Sequence, residues 1–421
     1  MNKEEYKESE IEWIGKIPID WKIKRFKRYF TSGMGETILK QDLDENGNIP
    51  VYSATEENLL FGYVKDSNIN LKKGDLIIPA RGNSIGSVKI INDSIATSTQ
   101  TTIYSKKIRK INEFFVYYYL TVFRNILFYY DNTAIPQITV SYVSENPIIV
   151  PPLDEQTRIA KHLDEQLLKI DTLINNTQLQ IEKLQEYEKS VINTAVTKGL
   201  NPEIEYKESE IEWIGKIPTH WKIKKLKQLG NTKNGINIGA EFFGEGYPFV
   251  SYGDVYKNRS LPSSVNGLVK STEQDKKLYS VEEGDVFFTR TSETINEIGI
   301  ASVCINSIEN ATFAGFLIRF RPKRAYVNKS YSKFYFTNYQ LRSFFVKKMN
   351  LVTRASLSQE LLKEVPVLLP PLEEQEQIAQ FLDLKTQTIR KVIANKEKQI
   401  ELYKEYKKSL INDLVTGKGR I

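Results

Sequence analysis

From Pro151 onward, apolar residues recur in alternating steps of four and three: Leu163, Leu167, Ile170 and Ile174, then, through Thr177, Ile181, Leu184, Glu188, Val191 and Ala195. That stepping is the seam of a coiled coil and predicts one uninterrupted helix. It returns at Leu382, Thr386, Ile389, Ile393, Lys396, Ile400, Tyr403, Lys407, Leu410 and Leu414. Prolines precede each stretch, acids fill each first turn where the helix dipole favours them, and Gly199 with Pro202, or Gly417 with Gly419, follows each end. At about 1.5 Å per residue, roughly 45 residues make a rod of about 65 Å, far longer than an ordinary globular helix. A seam interrupted by Thr177, Glu188, Lys396 and Lys407 is poorly buried alone, so the two helices are expected to pair with each other.

Between these stretches the pattern changes to short β-branched runs bounded by turn residues, which predicts strand-rich modules. Lys73-Gly74-Asp75-Leu76-Ile77-Ile78 finds an outline counterpart in Glu283-Gly284-Asp285-Val286-Phe287-Phe288. An arginine follows each, Arg81 or Arg290, and then a glycine-led strand from Gly86 or Gly299. Helices are expected around Phe114–Leu120 and Tyr331–Phe336; the three-four spacing of their aromatics favours a core face over stacking on bases. A proline-containing strand is expected to lead into each rod, after Ile135-Pro136-Gln137-Ile138-Thr139 and Arg354-Ala355-Ser356-Leu357-Ser358.

The chain is a tandem duplication. Tyr6–Pro18 recurs as Tyr206–Pro218, Trp21–Lys24 recurs as Trp221–Lys224, and Pro151-Pro152-Leu153-Asp154-Glu155-Gln156 recurs as Pro370-Pro371-Leu372-Glu373-Glu374-Gln375. The linker from Gly199 to Tyr206 is too short to let the rods run parallel, so they are expected to be antiparallel. The fold class is therefore α+β: two strand-rich α/β domains separated by a long antiparallel two-helix coiled coil, in a pseudo-two-fold repeat. The expected divisions are 1–150, a first module with its repeated lead-in; 151–199, the first long helix; 200–369, the second module with its lead-in; and 370–421, the second long helix.

Composition narrows the function. The chain has 421 residues with 59 Lys and Arg against 52 Asp and Glu, a formal charge of +7. That balance favours an anionic partner such as nucleic acid, although equally basic proteins exist with none. One cysteine, Cys304, leaves no internal disulfide and no cysteine-rich zinc site, as expected of a reducing cytoplasm. No apolar run is long enough to span a membrane, and the N-terminus does not resemble a signal peptide, so a cytoplasmic protein with no membrane partner is expected. With only His162 and His220, histidine-based catalysis or a multi-histidine metal site has almost no material. Gly417-Lys418-Gly419 lacks the spacing of a phosphate-binding loop, and the Glu-x-Lys triplets at Glu5, Glu205 and Glu405 lie outside the strand context of a nuclease centre. The chain reads as non-catalytic.

What remains is basic and polar surface. Lys22, Lys24, Arg25, Lys27 and Arg28 are matched by Lys222, Lys224, Lys225 and Lys227; further clusters are Lys106, Lys107, Arg109 and Lys110, and Arg319, Arg321, Lys323 and Arg324. Each cluster is either a phosphate contact or a solvated face. Bases would be read by Arg, Asn and Gln on loops. The loop candidates are Arg81, Asn83, Ser84, Thr99, Gln100 and Gln137 in the first module, and Arg290, Thr291, Ser292, Asn296, Arg354 and Ser356 in the second; the alternative for each is that it caps a turn.

The duplicated lead-in from Trp13 to Trp21 and Trp213 to Trp221, the Gly-Asp turns at Gly74 and Gly284, and the Pro-Pro-Leu-x-Glu-Gln motifs followed by rods together resemble the specificity subunits of type I restriction-modification systems. The resemblance covers essentially the whole chain. It implies two target recognition domains, each reading one half of a split double-stranded DNA sequence, with the helix pair as a ruler for the unread gap. It further implies that two methyltransferase (modification) subunits dock on the repeated regions, joined in some systems by two restriction/translocase subunits. No cofactor is then expected in this chain; S-adenosylmethionine, ATP and Mg²⁺ belong to the partners. Two rivals stand beside this reading: a coiled-coil protein scaffold without specific DNA binding, which would lack salt-sensitive DNA affinity, and an unrecognised nuclease, which would cleave DNA alone with metal.

Overall fold

The computed structural model describes residues 6–55, 59–82, 84–128, 137–292, 297–323, 326–348, 355–419 and 421. They form two compact units, Met1–Gln178 with Lys398–Ile421, and Leu179–Glu397. The two stepped stretches are single helices, Leu153–Lys198 of 46 residues and Leu372–Val415 of 44 residues. Every seam position named above is buried or half-buried, Thr177 and Glu188 included. In the first unit Leu163, Leu167 and Ile170 share a core with Ile411, Leu414 and Val415. In the second, Ile192, Ala195 and Val196 share one with Ile378 and Leu382. The start of one long helix meets the end of the other in each unit, which is antiparallel pairing.

The repeated motifs fasten that pairing. Trp21, fully buried, donates from its indole nitrogen to Glu155 Oε2 at 3.0 Å, and Trp221 donates to Glu374 at 3.1 Å. The neighbouring glutamine bridges backbone groups. Gln156 Nε2 donates to the Pro151 carbonyl while its Oε1 accepts from the Asn112 amide, both at 2.8 Å; Gln375 does the same for Pro370 and Asn328. Asn112 and Asn328 in turn cap the helices Glu113–Leu127 and Lys329–Tyr335. Each long helix ends on a glycine in the left-handed region, Gly199 at φ 76° and Gly417 at φ 74°, which only glycine adopts freely. Tyr206 donates to the Lys198 carbonyl and Tyr6 to that of Gly417, so each lead-in clasps one helix start and one helix end.

Both units carry the same sheets. A four-stranded antiparallel sheet runs Phe30–Met34, Thr101–Lys106, Leu76–Pro79, Lys89–Ile90 in the first, and Gly230–Asn234, Leu317–Pro322, Val286–Thr289, Ala301–Val303 in the second. A three-stranded mixed sheet accompanies each, centred on Ile49–Tyr52 or Phe243–Val250. The aromatic helices turn Phe115, Tyr119, Tyr331, Phe334 and Tyr335 into the cores, as their spacing predicts, and so withhold them from stacking on bases. The strands leading into the rods are Pro147–Val150 and Pro366–Leu369, but a short helix, Val140–Glu145 or Gln359–Lys363, intervenes before each. Their Thr139 and Ser358 caps, each accepting a backbone amide, explain why the extended run stops there. The extra length of the second module includes the helices Tyr252–Lys257 and Glu273–Leu278.

Candidate nucleic-acid interface

Several of the described loop candidates lie beyond the ends of matching strands. After Leu76–Pro79, the Ala80 amide donates to the Gln100 carbonyl at 3.2 Å, and the Ala80 carbonyl accepts from Ile138 at 3.0 Å. Those two bonds hold three chain segments side by side and bring Arg81, Gln100 and Gln137 together. Arg81 Nη2 donates to Gln137 Oε1 at 3.0 Å, and both side chains are exposed. Gln100 is exposed at φ 58°, a left-handed turn between Thr97–Ser98 and Thr101–Lys106. Thr99 is instead interior, its hydroxyl accepting from the Ile38 amide at 3.0 Å. The Ser84 hydroxyl is buried as well.

The second unit repeats the frame with other side chains. After Val286–Thr289 the Arg290 amide donates to the Phe316 carbonyl at 2.9 Å, and the Arg290 carbonyl accepts from Leu357 at 2.7 Å. Thr291 pairs with Ser356 between the strands Thr291–Ser292 and Ala355–Ser356. The backbone bonds therefore align Arg290 with Ala80, Thr291 with Arg81, Phe316 with Gln100 and Ser356 with Gln137. Matching Arg81 to Arg290 by sequence slips one residue, which only the hydrogen-bond register corrects. Phe316 is 64% exposed at this edge and was not among the sequence candidates, because an isolated Phe normally reads as core. Arg290 Nη1 donates to the adjoining Gly315 carbonyl at 3.4 Å. Asn83, Asn296, Arg324 and Arg354 lie outside the described residues.

The lysine-rich clusters are on different elements. Lys22, Lys24 and Arg25 form a strand paired with Pro147–Val150, and Lys222, Lys224 and Lys225 one paired with Pro366–Leu369, at the feet of the long helices. Arg25 and Lys27 close on Glu145; Lys225 and Lys227 both lie 2.5 Å from Glu364. The two lysines pull the Glu364 carboxyl down to about 2, and Lys27 and Arg25 lower that of Glu145 in the same sense. Lys224 lies over the Tyr326 ring, while Lys22 and Lys222 are exposed. Arg321 is held by Asp285 and Glu282, Arg319 donates to the Ser280 carbonyl, and Lys106 pairs with Glu113. Much of the charge that sequence offered for phosphates is thus neutralised within the protein. His220 bonds Glu374 at 2.8 Å, a position where the first copy has Asp20.

The family model for the type I restriction modification DNA specificity domain matches residues 18–183 and again 218–402. This chain belongs to that family. Among its relatives, a putative type I restriction enzyme MjaX specificity subunit of Methanocaldococcus jannaschii is 26% identical over all of this chain and 97% of its own length. The MjaVIII specificity subunit of the same organism is 25% identical over 96% and 94%. Two solved structures share the fold at 14% identity, each covering 95% of this chain and 98% of its own. One comes from work on complex assembly and conformational transition of the type I R-M system, with a TM-score of 0.71; the other is the HsdS subunit from Thermoanaerobacter tengcongensis, with a TM-score of 0.55. The chain is a specificity subunit with no catalytic role of its own, and the protein-scaffold alternative finds no counterpart among these relatives.

Proposed function

We propose that the two edges, Arg81, Gln100 and Gln137 in one unit and Arg290, Thr291, Phe316 and Ser356 in the other, each read one half of a split double-stranded DNA target. The observation that carries this is one backbone frame presenting two different sets of side chains, as two unlike half-sites require. Arg and Gln offer the paired donors and acceptors that distinguish bases in the major groove, and the exposed Lys22 and Lys222 suit phosphates. The long helices hold the gap between halves constant. The near-identical lead-ins Tyr6–Lys24 and Tyr206–Lys224 provide two like surfaces for two copies of one methyltransferase subunit. Restriction subunits, where present, join that assembly. S-adenosylmethionine, ATP and Mg²⁺ come with these partners in the cytoplasm; among the described residues no helix of this chain is long and apolar enough to cross a membrane.

The test is co-expression with the modification subunit of a type I system and single-molecule mapping of adenine methylation on a random-sequence plasmid library. Two short motifs at one fixed spacing support the proposal. Methylation at a single uninterrupted motif contradicts it.

A further inference from the structure

The seam carries charges whose arrangement DNA reading does not explain. In the first unit Lys407 of the second long helix binds Asp171 of the first at 2.7 Å; in the second unit Arg390 of the second helix binds Glu188 of the first at 3.1 Å. The two helices are copies offset by 219 positions, which places Asp171 on Arg390 and Glu188 on Lys407. Most apolar seam positions are thus repeated, Leu167 to Thr386 excepted, while these two charged positions change sign between copies. The first helix is acidic at both, the second basic at both.

We propose that these four charges are a partner code: a first-type helix accepts a second-type helix and rejects another of its own kind. In the observed register, two first helices from separate chains would set Asp171 against Glu188 twice, and two second helices would set Arg390 against Lys407 twice. The apolar residues alone do not forbid this, since Leu163, Ile170 and Ile181 recur as Leu382, Ile389 and Ile400. Like charges meeting beside an apolar seam repel without full solvent screening, and such positions decide partner choice in coiled coils. Glu188 is the most enclosed of the four, its side chain 12% exposed, and is gripped also by Arg259 at 3.2 Å, which keeps the carboxylate aimed at the seam. The excluded partner is a second copy of this chain zipped like to like; exchange of unlike helices between copies remains permitted.

The full chain tests this with paired charge exchanges. D171K/R390E makes both native contacts repulsive and both like-helix contacts attractive, and it should shift toward twice the wild-type mass by mass photometry. D171K/K407D keeps every native contact attractive and should retain the wild-type mass and melting temperature, although Lys407→Asp alone loses several degrees. The loss from Lys407→Asp should shrink in high salt, as a packing defect would not. If D171K/R390E precipitates, the recovery of Lys407→Asp by Asp171→Lys decides the matter. The code is overturned if D171K/R390E keeps the wild-type mass and melting temperature, or if D171K/K407D melts as low as Lys407→Asp.

Discussion

The two units use one frame and fill it differently. Around the helix feet they are nearly superimposable in chemistry: Trp21 with Glu155 and Trp221 with Glu374, Gln156 with Asn112 and Gln375 with Asn328, Glu145 with its two cations and Glu364 with its own. At the strand ends the backbone bonds persist while the side chains do not, so Gln100 gives way to Phe316 and Arg81 to Thr291. On the proposed function, parts that meet a repeated partner are held constant, and parts that meet a non-repeated sequence are free to change. That difference is what supports the proposal that the strand-end edges read the DNA.

If the frame is shared, equal injuries should cost equally. Trp21→Ala and Trp221→Ala each remove a fully buried indole and should destabilise their units by about 3–5 kcal/mol, the two values agreeing within experimental scatter in calorimetry. Markedly unequal losses would break the comparison. Gln156→Ala and Gln375→Ala strip a partner from a backbone amide on the preceding helix cap and should cost about 1–3 kcal/mol each by urea unfolding.

The smallest effect sharpens the comparison through pH. Because Lys225 and Lys227 depress the Glu364 carboxyl, its contribution to stability is present above the ordinary carboxylate value of 4.5 and is lost as pH falls through about 2. Glu364→Gln should therefore melt slightly below wild type at neutral pH, with the gap closing from pH 4.5 downward. Glu145→Gln should behave in the same direction in the first unit. A gap that stays constant with pH in either variant would remove charge as its cause.

The helices, their antiparallel pairing and the duplication were legible in sequence because a four-three step is local and the lead-in repeats almost residue for residue. The proposed reading edge was only half legible. Arg81, Gln100 and Gln137 stood out as polar loop residues, but what brings them together is a pair of backbone bonds across distant segments, from Ala80 to Gln100 and from Ile138 to Ala80, which no periodicity records. Arg290 attracted attention through a one-residue misalignment, and Phe316 escaped because its exposure is a tertiary fact. For the lysine clusters the sequence left phosphate contact and solvated face both open, and it could not show that Glu145 and Glu364, more than a hundred residues away along the chain, pair with Lys27 and Lys227.

The most direct test of one frame with two readers is adenine-methylation mapping with Arg81→Ala and Phe316→Ala co-expressed separately with the methyltransferase. A specific base contact is worth about 1–3 kcal/mol of discrimination, so each variant should relax positions in one half of the target and leave the other half and the spacing unchanged. If either variant altered both halves together, or neither, the strand-end edges would not be the reading surface.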